Sequence, residues 1–374
     1  MPSLDKNTQA FLTLVRAGLW EKEAQLSQYG SIDFNEILRL TEEQSVVGLV
    51  SAGLEHVCDI KVPKEVALQF VGSALQLEQR NLAMNDFVAK LIEYLRKEDV
   101  YAILVKGQGL AQCYERPMWR ASGDIDLLLS EDNYNKAVKF LTPKASTIEE
   151  EIISIRHKGM VIDSWVVELH GTMRCRLWKK VDRIIDETQK EVFFGGSVRS
   201  WLNGNTQVFI PRADEDVIFV FSHVLQHFYR DGIGLRQVCD WCRLLWVFKD
   251  RINQNLLNSR LKRAGVMTEW KTFAAFVVDY LGMPTSAMPF YSDSLKWKRK
   301  AKGLFNYIIS TGSFGYNRDK SYYSNKPFIY RKTKSFLRNT ADGLRQMTLF
   351  PIDASIVWTK KFFGGLANTA KGIG

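Results

Sequence analysis

Two aspartates, Asp124 and Asp126, stand one residue apart in RASGDIDLLLS (residues 120–130), a stretch that otherwise reads as an apolar strand. Side chains on a strand alternate faces, so both carboxylates point one way while Ile125, Leu127 and Leu129 point the other. Two carboxylates held roughly 6–7 Å apart by the strand rise repel each other unless a cation lies between them. Magnesium suits the pair, since it takes hard oxygen ligands, commonly one or two carboxylates plus substrate phosphates. Two such ions can stabilise both the attacking and the leaving oxygen of a phosphoryl transfer. A third carboxylate on a neighbouring strand would complete a two-ion site. Glu168 in VVELHG is the first choice, because Val166, Glu168 and His170 share one strand face and Val167 and Leu169 the other; Asp163 in VIDSW is the second.

A glycine turn precedes the acidic pair. Lys106-Gly107-Gln108-Gly109 follows an aliphatic run and opens a helical pattern, so its backbone N–H groups can face a phosphate. Lys106 and Arg120 add charge for a triphosphate, the lysine as a point charge and the arginine as a fork. Each motif alone is common; their order (strand, glycine turn, helix, acidic strand, later glutamate strand) gives the metal-site reading its weight. His223 and His227 lie four apart on a helical pattern but lack the glutamate of H-E-x-x-H and an obvious third ligand, so they read as core or site-lining residues. Cys239-x-x-Cys242 has no second C-x-x-C and reads as buried thiols. His170 either orients a site group or pairs at the strand end.

These residues need elements to hold them. Apolar spacing of three and four predicts helices throughout residues 4–98, with Pro63 in the first turn of the last and longest. Strands are expected at VYAILVK, DIDLLL, TIEEEIISI, GMVIDSW and VVELHGTM, with helices over 107–115 and 131–141. A strand at TQVFIP follows, then one or two helices broken near residues 231–234. The expected organisation is a helical region over 1–98, a catalytic core over 99–175, and a mainly helical region over 176–374. The ending FFGGLANTAKGIG is expected to fray.

The 374 residues are 46% hydrophobic and 25% charged, the composition of a folded globular chain rather than a disordered one. No window approaches the run of about 20 apolar residues that a membrane span needs. Five scattered cysteines argue against a disulfide framework, and a cytoplasmic protein with reduced thiols is expected. The net charge of +10 is uneven: residues 290–374 hold sixteen Lys or Arg against four Asp or Glu, interleaved with aromatics. That segment suits nucleic acid, an anionic lipid surface or nucleotide phosphates, and equally a solvated basic face.

The ordered blocks LVKGQGLAQCYERPMWRASGDIDLLLS, VVELHGTM and SHVLQHFYRDGIGLRQVCDWCRLL resemble the nucleotidyltransferase superfamily typified by DNA polymerase beta. They resemble more closely a bacterial family of uncharacterised nucleotidyltransferases, over roughly residues 35–360. The resemblance implies an α+β fold, a polymerase-beta-like core with a small mixed sheet flanked by helical N- and C-terminal regions. It implies Mg2+-dependent transfer of a nucleoside monophosphate from an NTP such as ATP, with pyrophosphate released. Asp124, Asp126 and Glu168 would be the catalytic metal ligands, for two ions. Lys106, Gly107 and Arg120 would meet the phosphates, and His223, His227, Arg236 and Asp240 would line the cleft, with His223, Arg236 and Asp240 at the nucleotide. The acceptor is open: a small molecule, a sugar or peptide intermediate, a protein or an RNA. Lys106-Gly107 stands where many members carry Gly-Gly or Gly-Ser, and the interval to Asp124 is longer than usual. Two rival expectations are an idle nucleotide-binding or scaffold protein that keeps the fold, and a phosphotransferase that moves the γ-phosphoryl group.

Overall fold

Close helix packing at glycines builds the N-terminal region of the computed structural model, which describes residues 4–317 and 327–370. Helix α1 (Lys6–Trp20) starts at Asp5, whose side chain accepts from the Thr8 N–H. It is followed by α2 (Phe34–Glu43), α3 (Val47–Glu55) and α4 (Lys64–Lys97), with Pro63 as the residue preceding α4 rather than inside its first turn. Helices α1 and α3 pack backbone to backbone. A Cβ on Gly18 would fall 1.9 Å from the Leu49 carbonyl oxygen, and one on Gly53 would fall 2.1 Å from that of Leu14. Gly53→Ala is therefore expected to cost on the order of 2–3 kcal/mol, read as a lowered urea midpoint, because neither clash can be relieved by a rotamer.

The sheet begins with β1 (Ala102–Val105), then α5 (Gly107–Ala111), β2 (Asp124–Leu129) and α6 (Glu131–Leu141). Short β3 (Thr147–Ile148) leads to the hairpin β4 (His157–Ile162) and β5 (Trp165–His170). After α7 (Lys179–Phe194), a second hairpin of β6 (Val198–Asn203) and β7 (Thr206–Pro211) returns to the same sheet. The strand order is β3-β4-β5-β2-β1-β7-β6, mixed in direction, with β2 antiparallel to β1 and parallel to β5. This is the expected α+β architecture with one mixed sheet and helices around it.

Strand β2 is central and buried on both sides, which is why its apolar residues run on without alternation. Ile125, Leu127 and Leu129, with Val167 and Leu169 of β5, pack on Met84, Val88 and Ile92 of α4 and on Tyr134 and Leu141 of α6. Leu128, with Ile103 and Val105 of β1, faces the larger core. That core is built on α8 (Ala213–Tyr229), α9 (Leu235–Val247), α10 (Gln254–Ala264), α11 (Met267–Leu281) and α12 (Leu295–Thr311). The break between α8 and α9 falls at residues 230–234, as the glycines there predict.

Three local expectations are corrected. The run TIEEEIISI is strand only at Thr147–Ile148; it continues through a single bridge at Ile152 into a short 3-10 turn in which Ile153 is 82% exposed. The helix after the glycine turn stops at Ala111 rather than Glu115. The C-terminal run from Phe362 is helical to Ala370: α13 (Phe328–Leu349) and α14 (Pro351–Ala370) pair, with Trp358 stacked on Phe362 at 5.4 Å. The part of the basic, aromatic segment at 318–326 and the closing residues 371–374 lie outside the described residues. No helix among the described residues is long and apolar enough to cross a membrane.

Candidate active site

Register brings the acidic residues together. In the parallel β2/β5 ladder Asp126 is the direct partner of Glu168, and Asp124 and Asp126 share the sheet face turned toward α8 and α9. One carboxylate oxygen from each of Asp124, Asp126 and Glu168 falls within 4.8 Å of the others. Asp163 is not among them. With Ser164 it forms the two-residue tip of the β4–β5 hairpin, both at positive φ (47° and 69°), exposed at the far end of the strand from Glu168.

Lys106 lies at the end of β1, opposite Asp126 through the pairing of its neighbour Val105. Its backbone is left-handed in φ (57°), followed by Gly107 at 37°, and a Cβ on Gly107 would approach the Asp124 carbonyl oxygen to 3.4 Å. A non-glycine residue in that region is uncommon and costs conformational energy, so the turn is held by its surroundings. The Lys106 ammonium meets Asp126 Oδ1 at 2.6 Å. Helix α5 has five residues, too short for a large dipole, so most of the positive charge at this turn comes from Lys106 itself.

His170 Nε2 is 2.7 Å from Asp126 Oδ1 and 3.4 Å from Glu168 Oε2. His157, the cross-strand partner of His170, brings its own Nε2 to 3.1 Å from Glu168. Of the two roles open to His170, this arrangement supports orientation of a site group.

The carboxylates are held unequally. Asp124 is pushed above the usual carboxylate range by the charge of Asp126 and by burial, which Lys106 only partly offsets. Asp126 goes the other way: burial opposes its charge, but Lys106 and His170 overcome it. Glu168 is also lowered, its burial outweighed by hydrogen bonds from His157 and His170.

A cavity of about 330 Å3 opens beside these groups. Its opposite wall comes from α8 and α9 and includes His223, His227, Arg230, Arg236 and Asp240. The His223 and His227 rings lie 4.3 Å apart with their Nε2 atoms at 3.0 Å. No third metal-ligating side chain joins that pair among the described residues. Burial, with Lys106, His227 and Arg236 nearby, holds His223 well below the usual histidine range, so it lines the cavity as a neutral ring. Arg236 donates to the Ala121 carbonyl at 3.0 Å and lies over the Phe314 ring, and its buried Nε has no hydrogen-bond partner among the described residues.

Arg120 and Asp240, both expected at the nucleotide, are bound to each other. The guanidinium forks onto the carboxylate at 3.0 and 2.6 Å, Tyr114 donates its hydroxyl to the same Asp240, and Arg120 also donates to Ser122. Cys239 and Cys242 are buried free thiols behind this wall. Sequence reasoning missed His157, Tyr114 and the rim cations Arg174, Arg176 and Arg230. His157 alone had a readable signal, since a two-residue turn at Asp163-Ser164 fixes the register that sets it against His170.

A mixed sheet whose central strand presents two aspartates beside a glutamate strand, with a lysine-glycine turn at their edge, is the arrangement of a nucleotidyltransferase-type fold. The family described as "Uncharacterised nucleotidyltransferase" matches residues 30–282, and the chain belongs to that family. Comparison with curated proteins and with solved structures finds no match.

Proposed function

We propose that the protein uses Mg2+ to transfer a nucleoside monophosphate from an NTP to a nucleophilic acceptor, releasing pyrophosphate, at the carboxylate cluster of β2 and β5. The observation that carries this reading is the convergence of Asp124, Asp126 and Glu168 on the wall of a cavity whose other lining residues include Lys106, Arg230 and Arg236. Anions on one side and cations on the other match the two faces of a metal–triphosphate. The donor set fits a hard divalent ion, since all three groups offer carboxylate oxygen. Bound there, two such ions would neutralise phosphate charge and stabilise the attacking and leaving oxygens.

The chain's own residues divide the remaining work. Asp124 is the carboxylate with most to gain from a cation, because its strongest influence is the repulsion of Asp126. Lys106 must release Asp126 before that aspartate takes up metal, and its freed ammonium then serves the phosphates. Glu168 lies on the acceptor side, where it favours loss of the nucleophile's proton. His223, neutral at ordinary pH, offers a hydrogen bond to base or ribose. Arg120 acts through Asp240, fixing the α9 wall rather than gripping phosphate. The cavity is at the small end of ligand sites, so one nucleotide fills it and the acceptor approaches at the exposed rim near Arg174 and Arg176.

The test is thermal unfolding of the full chain with Mg2+ and each NTP, paired with product analysis. A ligand at about 100 times its Kd stabilises by about 2.7 kcal/mol, a rise of several degrees. Pyrophosphate as product supports the assignment. An NDP would make the protein a phosphotransferase, and no stabilisation by any NTP would leave an idle fold.

A further inference from the structure

We propose that His157, Glu168 and His170 form a second cation position beside the carboxylate cluster, one that takes a borderline ion of the Zn2+ class in preference to Mg2+. The inference rests on the reading of Asp124, Asp126 and Glu168 as metal-binding and extends it, Glu168 being common to both groups.

Geometry leads to it. His157 Nε2 and His170 Nε2 lie 3.1 and 3.4 Å from the same Glu168 Oε2, and the three ligand atoms fall within 4.8 Å of one another. A tetrahedral ion with bonds of about 2.0–2.1 Å separates its donor atoms by roughly 3.3–3.4 Å. The two histidine–glutamate separations thus stand near the edge length of a coordination tetrahedron, and 3.4 Å is already longer than an N–H···O hydrogen bond prefers. The placement is built into the backbone: His157 and His170 are direct partners in the β4/β5 ladder, with ring centroids 4.8 Å apart and planes tilted by 52° rather than stacked.

Ligand chemistry sets the ion. Imidazole nitrogen favours Zn2+ and Co2+, whereas Mg2+ takes oxygen. Two histidines and a glutamate with a fourth position open is the pattern of catalytic rather than structural zinc, and all three side chains line the cavity, so that fourth position faces a ligand space. His170 Nε2 also meets Asp126 at 2.7 Å; an ion at the tripod replaces the proton shared there.

The test uses the metal-stripped full chain and Co2+ as a spectroscopic stand-in. The expected result is the intense visible absorption of a four-coordinate, nitrogen-bearing ion, saturating at one ion per chain. It is quenched by Zn2+ and persists in about 100-fold excess Mg2+. His157→Gln, which can keep a hydrogen bond to Glu168, weakens Co2+ binding by about 10-fold or more at unchanged circular dichroism. Asp124→Asn, outside the tripod, keeps the band but loses stabilisation by Mg2+ and NTP. A pale, octahedral spectrum displaced by Mg2+ overturns the tripod and leaves the carboxylate reading standing. An undiminished band in His157→Gln overturns the role of His157. Failure to bind Co2+, together with no response to Mg2+ and NTP, overturns both readings.

Discussion

Asp124→Asn is expected to lower Mg2+-dependent NTP turnover by on the order of 10^3-fold, about 4 kcal/mol of transition-state stabilisation, while melting no lower than the native chain. The two halves of that expectation have one cause. Asp124 sits beside Asp126 and Glu168 with a raised pKa, and repulsion by Asp126 is the largest influence upon it. Without metal, removing its charge relieves that repulsion; with metal, it removes a ligand. Function that stores repulsion in this way trades stability for binding. Asp126→Asn is expected to differ in the second half only. Its carboxylate carries Lys106 at 2.6 Å and His170 at 2.7 Å and is 2% exposed, so the amide leaves a half-buried ammonium facing a neutral group. That variant loses turnover and also melts lower, by on the order of 2–4 kcal/mol. Pyrophosphate release and calorimetric melting, measured on both variants, check the pair. Turnover within tenfold of native in Asp124→Asn would falsify the carboxylate assignment.

The carboxylate site was legible because the information it needs is local. Strand periodicity places Asp124 and Asp126 on one face of their strand, and Glu168 with His170 on one face of another. The α8–α9 break and the limits of α6 follow from glycine and acidic first-turn signals in the same way. What escaped depends on pairings across long intervals. Strand β6 alternates half-buried and exposed residues and becomes a strand only because β7 is there to pair with it. Helix α5 ends at Ala111, well before Pro117, so the proline does not set its length. Arg120 and Asp240 each look like a charge free to meet a ligand, and nothing within 10 residues of either reveals that they meet each other. Asp163 misled for the opposite reason: it shares strand-like surroundings with Glu168 but occupies the turn that reverses the chain.

That Arg120–Asp240 pair is where the largest loss of stability is expected. Asp240→Ala should destabilise the protein by about 3–5 kcal/mol, lowering Tm by on the order of 5–10 °C. The reason is what the substitution strands: a guanidinium only 6% exposed, left with Ser122 as its side-chain partner, and the buried Tyr114 hydroxyl with no acceptor. Burial works against the charge of Arg120, and Asp240 is the first influence that offsets it. Removing both charges should be milder than removing one. Arg120→Met with Asp240→Leu, of similar bulk, is expected to recover at least half of the loss, giving a coupling energy on the order of 2 kcal/mol in a double-mutant cycle. Turnover separates this positioning role from a direct one. If Arg120 reaches the triphosphate, the double variant stays inactive with a raised KM for NTP even where its Tm recovers. If the pair acts by holding α9 and its His223–Arg236 wall against the sheet, KM returns with the melting temperature. A single Asp240→Ala that melts like the native chain would remove the structural role altogether, since no buried charge pair can lose one partner at no cost.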